Sequence, residues 1–147
     1  DNSNDVYLDF LKEKEGFRDT AYKPIDTEEY YTIGYGNYGE NVKEGDTITK
    51  EQATAQLQSN IDTKLAEIRQ AIPDFDNLPL EARKHLLGSW FRGSLSGSPK
   101  TISLLNDKKY DEASKEFLNN DEYRTTTLGG VKKRMNATSR AMSGLIS

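Results

Sequence analysis

Ala53, Leu57, Ile61, Leu65, Ile68 and Ile72 recur at intervals of three or four residues, the repeat that keeps one face of an α-helix apolar over roughly five turns. Thr49 and Gln52 stand where a capping box would open that helix, and Pro73 stands where it must stop. A helix of this length is about 30 Å long, comparable to the width of a small domain. A chain of 147 residues therefore has to arrange its remaining elements around it. The spacing predicts one domain over 1–147, with a lobe at 15–48 carrying a β-hairpin, a long helix at about 50–72 that joins two lobes, and a helical lobe at 73–147.

Other elements follow from the same patterning. Val6, Tyr7, Phe10 and Leu11 predict a first helix, with Ser3 or Asn4 as its cap and Gly16 ending it after Glu15. From Ala21 to Gly39 the chain turns to aromatics, threonine and glycine, which predicts a hairpin or small meander, with a third short strand near Thr47 and Ile48. Pro79 is expected at the first position of a helix bearing Leu80, Leu86, Leu87, Trp90 and Phe91. After a Gly-Ser loop at 93–98, Ser98-Pro99 opens a short helix with Ile102 and Leu105, and Tyr110, Ala113 and Phe117 mark another. Gly129-Gly130 is expected to break the chain before a last helix with Val131, Met135, Thr138 and Met142 on one face. The fold class expected is α+β, a small N-terminal antiparallel sheet followed by helices.

Composition narrows the chemistry. There is no cysteine and a single histidine, so disulfides, thiolate metal sites and multi-histidine sites are excluded. Carboxylates, hydroxyls, amides and cations are left. A net charge of −4 argues against nucleic-acid binding, which needs a basic surface. No apolar run is long enough to span a membrane, and no signal-peptide pattern opens the chain.

Glycoside hydrolysis needs one carboxyl group that is protonated and one that is ionised. Glu15 falls in the last turn of the predicted first helix, where the negative end of the macrodipole disfavours an ionised carboxylate. Asp26 falls in a polar turn between strands, where backbone N–H groups and water favour ionisation. With 24 acidic residues in the chain, such a pair alone decides nothing, because solubility and turn chemistry supply the same residues.

The surrounding string is more specific. Glu15-Gly16-Phe17-Arg18, Ala21-Tyr22-Lys23 and the run from Asp26 through Tyr30-Tyr31-Thr32-Ile33-Gly34-Tyr35-Gly36-Asn37 resemble the active-site region of the phage-type lysozymes, glycoside hydrolase family 24. That family has a Glu-Gly at a helix end, an Asp in a hairpin turn and a Thr opening a Thr-Ile-Gly-Tyr-Gly-His segment. Carried over by position, the resemblance implies Glu15 as general acid, with Asp26 and Thr32 activating and placing the attacking water. It implies Tyr35, Asn37, Phe91, Arg92 and Arg134 as substrate-binding residues, Arg134 as the arginine that neighbours the catalytic Glu in the family. It also implies no metal or cofactor.

Outside residues 15–37 the likeness is weaker but continues through the long helix, through Asn106 to Phe117 and through the basic helix of Val131 to Arg140. Three departures stand out. Pro24-Ile25 lengthens the stretch between Glu15 and Asp26 by two residues, Asn37 replaces the family's His, and the segment around Phe91, Arg92 and Gly93 aligns in more than one way.

The resemblance implies hydrolysis of the β-1,4 bond between N-acetylmuramic acid and N-acetylglucosamine, with peptidoglycan glycan strands as partner. The protein is expected to be a monomer acting at the bacterial cell wall in the periplasm, an endolysin or virion-associated lysin made without its own signal peptide. Three alternatives stay open: a lytic transglycosylase, which needs the Glu but no water-activating Asp, a catalytically silent wall-binding module of a phage tail, and a toxin that uses this domain. Because peptidoglycan is anionic, a local basic face is expected from Lys132, Lys133, Arg134 and Arg140. His85 is expected at a helix surface or boundary, and Leu87, Trp90 and Phe91 in the core, where an aromatic at a cleft edge could also stack on a sugar face.

Overall fold

In the computed structural model, which describes residues 3–23, 25–126 and 129–145, the chain separates into two compact units, Asp1–Thr63 and Lys64–Ser147. The boundary falls inside the long helix. Among the described residues there are seven α-helices, one short 3-10 helix and a three-stranded antiparallel sheet. The architecture is α+β.

In the first unit, α1 (Ser3–Glu15) buries Tyr7 and Leu11, the two ring-and-branch positions of its apolar stripe. Gly16 ends it with φ +69 and donates its N–H to the Lys12 carbonyl, the left-handed C-terminal stop that glycine adopts without steric cost. Ser3 and Asn4, expected as caps, are the first two residues of the helix. The Asn4 amide instead exchanges two hydrogen bonds with Gln58, at 2.9 and 2.8 Å.

The sheet is a meander of β1 (Arg18–Tyr22), β2 (Tyr31–Gly34) and β3 (Asn37–Gly39) in that order. The third strand therefore follows β2 directly through a two-residue turn, not at Thr47 and Ile48. That later segment still pairs: Thr47 bridges Thr20, the Ile48 N–H donates to the Asp19 carbonyl, and the Ala21 N–H donates to the Asp46 carbonyl. The turn signals at Gly34 and Gly36 make β3 too short for alternation to reveal it.

The long helix, α2 (Lys50–Ala71), begins as its capping box dictates. Thr49 Oγ1 accepts from the Gln52 N–H and Gln52 Oε1 accepts from the Thr49 N–H, both at 3.1 Å, a reciprocal arrangement worth about 1 kcal/mol. Ala53, Leu57 and Ile61 are buried in the first unit and Leu65, Ile68 and Ile72 in the second, so the whole stripe is removed from water.

One polar residue interrupts the inward side of α2. Gln56 Oε1 is buried with no hydrogen-bond partner, close to where a side chain on Gly34 would lie. An orphaned buried acceptor costs roughly 1–3 kcal/mol. Gln56→Leu, which keeps the volume and removes the acceptor, is expected to raise the unfolding free energy by about 1 kcal/mol. The measurement is urea denaturation, with the midpoint rising at constant slope. A lower midpoint would mean that the amide is satisfied in solution.

The second unit is helical. After the 3-10 turn Phe75–Asn77, α3 (Leu80–Arg92) buries Ala82, Leu86, Leu87 and Trp90. Pro79 is its N-cap, with ψ 145, rather than its first helical residue, and Gly93 closes it at φ 81. The Trp90 indole N–H donates to Glu67 at 2.9 Å, and this bond, ahead of the nearby Lys64, holds the Glu67 carboxyl below the usual glutamate range. His85 is half-buried on α3, with Nε2 3.3 Å from Glu81.

α4 (Pro99–Asn106) starts on its proline and ends in a Schellman-type closure, the Lys109 N–H reaching Leu104 and the Lys108 N–H reaching Leu105. α5 (Tyr110–Leu118) presents Tyr110, Ala113 and Phe117 to the core. α6 (Asp121–Thr125) is a single short turn of helix without a periodic signal.

α7 (Gly129–Ser143) buries Met135, Thr138 and Met142 and packs on α5 and α3. Ser139 Oγ reaches the Ser114 carbonyl at 2.9 Å. Gly129 and Gly130 form its first turn instead of a break before it. Glycine is tolerated there because the first-turn N–H groups lack intrahelical partners anyway.

Candidate active site

Glu15 is the last residue of α1 and half-buried. Its position is fixed locally, since Gly16 turns the chain out of the helix immediately after it. Gly16, Phe17 and the five residues of β1 then separate it from the polar connection between β1 and β2. There the Glu28 N–H donates to the Ile25 carbonyl at 3.1 Å, a turn whose corner residues are Asp26 and Thr27. Asp26 is exposed at that corner. Pro24, which with Ile25 lengthens this connection, lies outside the described residues.

Thr32 lies in β2 and is only 8% exposed. Its cross-strand partners are Tyr22 on β1 and Tyr38 on β3. Directly opposed residues of an antiparallel pair project from the same face, so Tyr38 shares the face of Thr32. Arg18 stacks on the Tyr22 ring at 4.1 Å, and Tyr38 packs against Tyr30 with ring centroids 5.5 Å apart. Asn37 pairs with Ile33, one residue out of phase. It therefore belongs to the opposite face, the one that buries Ile33.

The structure brings the tip of the β2–β3 hairpin to the end of α1. Gly36, at φ +82, lies so near Glu15 that a Cβ there would stand 3.3 Å from Glu15 Oε2. Tyr35 beside it packs against Phe17 with centroids 5.3 Å apart. Lys12 Nζ lies 5.8 Å from the Tyr35 ring and Lys50 Nζ 5.7 Å from the Phe17 ring. This cation and aromatic cluster is absent from any reading of spacing. Lys12 alone had a local signal, being three residues before Glu15 on the same helix face.

The remaining candidates lie in the second unit. Phe91, expected in the core with Leu87 and Trp90, is only half-buried because it falls outside the inward stripe at the end of α3; Arg92 beside it is half-buried too and lines a cavity of about 250 Å³ with Gly93, Ser94, Gly97, Ser98 and Asn120. Arg134 is half-buried on α7, its carbonyl accepting from Thr138 Oγ1. The four basic residues of α7 do not form one face. At about 100° per residue, Lys132, Lys133 and Arg140 share one arc, with Lys133 and Arg140 exposed, while Arg134 lies beyond it on the other side. Among the described residues, no group of three or more His, Asp or Glu is placed to hold a metal ion.

Comparison with known proteins gives these placements a context. Residues 12–138 match the phage lysozyme family. The endolysin of Bacillus phage B103 is 30% identical over 139 residues, covering 90% of this chain and 51% of that protein. The endolysin of Lactococcus phage c2 is 48% identical over 64 residues, 44% of this chain and 27% of that protein. The chain thus spans about half, or less, of the curated relatives it matches. The muramidase domain of SpmX from Asticaccaulis excentricus superposes with a TM-score of 0.72 over 93% of this chain and 94% of that one, at 19% identity, a likeness of fold. The family match runs from the last turn of α1 through most of α7, over the sheet and every helix between, and on that extent the chain belongs to the phage lysozyme family.

Proposed function

We propose that this chain is a peptidoglycan hydrolase that cleaves the β-1,4 bond between N-acetylmuramic acid and N-acetylglucosamine. Its relatives are named endolysins, and the reading extends their chemistry to this chain residue by residue. Glu15 is the general acid that donates to the leaving glycosidic oxygen. Asp26 is the carboxylate that activates water, and the Thr32 hydroxyl holds that water.

One observation supports this most. The hairpin carrying Thr32 is folded so that its tip lies against the carboxyl of Glu15, which a helix end and a strand pair brought together only by chance would not require. Asp26 at an exposed turn corner suits a base that must stay ionised and reach water. Tyr35, Phe91, Arg92 and Arg134 are the proposed glycan contacts. Asn37, on the face of Ile33, is proposed to support the hairpin instead. Lys133 and Arg140, with Lys132, form the proposed basic face toward the anionic wall. The protein is proposed to work as a monomer and at the cell wall.

Product chemistry is the test. Incubation with purified peptidoglycan is expected to release muropeptides with free reducing ends, identified by reduction and mass spectrometry. Products consisting only of 1,6-anhydromuramyl species would move the assignment to a lytic transglycosylase, and no soluble product would leave a binding module.

A further inference from the structure

We infer that Gly36 is a positioning residue for the Glu15 carboxyl, its missing side chain being what lets the hairpin tip close on that group and fix where it is presented. The inference rests on the reading of Glu15 as the acid. A Cβ at position 36 would lie 3.3 Å from Glu15 Oε2 and 3.8 Å from both its Cβ and Cδ. The first of these is closer than ordinary van der Waals contact, and the atom it meets is the far end of a side chain. An added methyl would therefore displace the carboxyl by a few tenths of an ångström rather than unseat the backbone. Catalytic groups need placement to within about 0.5 Å. Misplacement on the order of 1 Å costs about a hundredfold in rate.

The other glycines separate this role from simple backbone freedom. Gly36 has φ +82 and Gly45 has φ +86, both in the left-handed region and both in the first unit. Around Gly45 an added Cβ meets nothing within 4 Å. Alanine at either position is strained by a positive φ of nearly the same size, whereas the contact with Glu15 exists only at position 36. Gly34 is distinct again, because its Cβ would meet Ala53 on α2 at 3.2 Å, which makes it a packing glycine.

The experiment compares Gly36→Ala, Gly36→Asn and Gly45→Ala in the full chain, with kcat and KM measured on solubilised peptidoglycan strands and denaturation midpoints measured alongside. Asparagine tolerates the left-handed region better than other side chains and still carries the Cβ, so it keeps the test available if alanine unfolds the hairpin. Gly45→Ala is expected to lower the midpoint with kcat within about twofold of native. Both Gly36 variants are expected to lose about three- to tenfold in kcat with KM nearly unchanged, since a few tenths of an ångström is a fraction of the roughly 1 Å that costs a hundredfold.

A Gly36 variant that keeps native kcat, or one that raises KM while kcat stands, overturns the inference, the latter by making position 36 a glycan contact. Glu15→Gln is run beside them. If it is inactive while the Gly36 variants are normal, only the positioning role falls. If it turns over normally, the acid assignment falls and takes the positioning role with it.

Discussion

Glu15→Gln is expected to reduce wall lysis by a hundred- to ten-thousandfold, the range over which general acid catalysis acts, while leaving the fold in place. The amide keeps the size and most hydrogen bonding of the carboxyl but has no proton to give. Glu15 is only half-buried and closes a helix whose core residues are Tyr7 and Leu11, so the substitution leaves the packing of α1 untouched. The checks are lytic rate on purified peptidoglycan and circular dichroism of the same preparation. A folded variant lysing at near-native rate would remove the central residue of the proposed mechanism.

Asp26→Asn is expected to have an effect of similar order, about a hundredfold or more, since a neutral amide cannot take a proton from water. Here the fold is even less at risk, because Asp26 is exposed at the corner of a turn closed by the backbone bond from Glu28 to Ile25. The two-residue lengthening before it gives the experiment a second purpose. Asp19 on β1 and Glu29 in the same connection are also exposed, and Asp19→Asn and Glu29→Gln serve as parallel variants. Activity that survives in Asp26→Asn and falls in one of these would transfer the water-activating role to that residue.

Several features of this protein are written locally and were legible as such. The α2 helix needs only its apolar repeat, the Thr49 and Gln52 box and a proline beyond its end. Glu15 ends a helix because Gly16 follows it, and Asp26 occupies a turn because polar turn residues surround it. Each depends on neighbours within one or two turns of chain. The third strand is not written locally, since a three-residue strand following a glycine turn has no alternation to detect, whereas the Thr47 segment has strand-like residues and forms only a bridge to Thr20. α6, five residues long, likewise has too few residues for a periodic signal.

The longer helices and the candidate site string are legible residue by residue, because backbone hydrogen bonding and apolar periodicity act between residues close in the chain. Which of those residues meet is set by packing between segments distant in the chain. Gly36 and Glu15 are 21 positions apart, and nothing in either segment states that the hairpin tip folds onto the helix end. The same holds for Phe17 against Tyr35, for Asn37 facing away from Thr32, and for the buried oxygen of Gln56 left without a partner. Contacts of this kind are set by how whole elements pack to remove their apolar faces from water, and a polar group or a glycine at such a junction takes its role from whatever that packing brings against it.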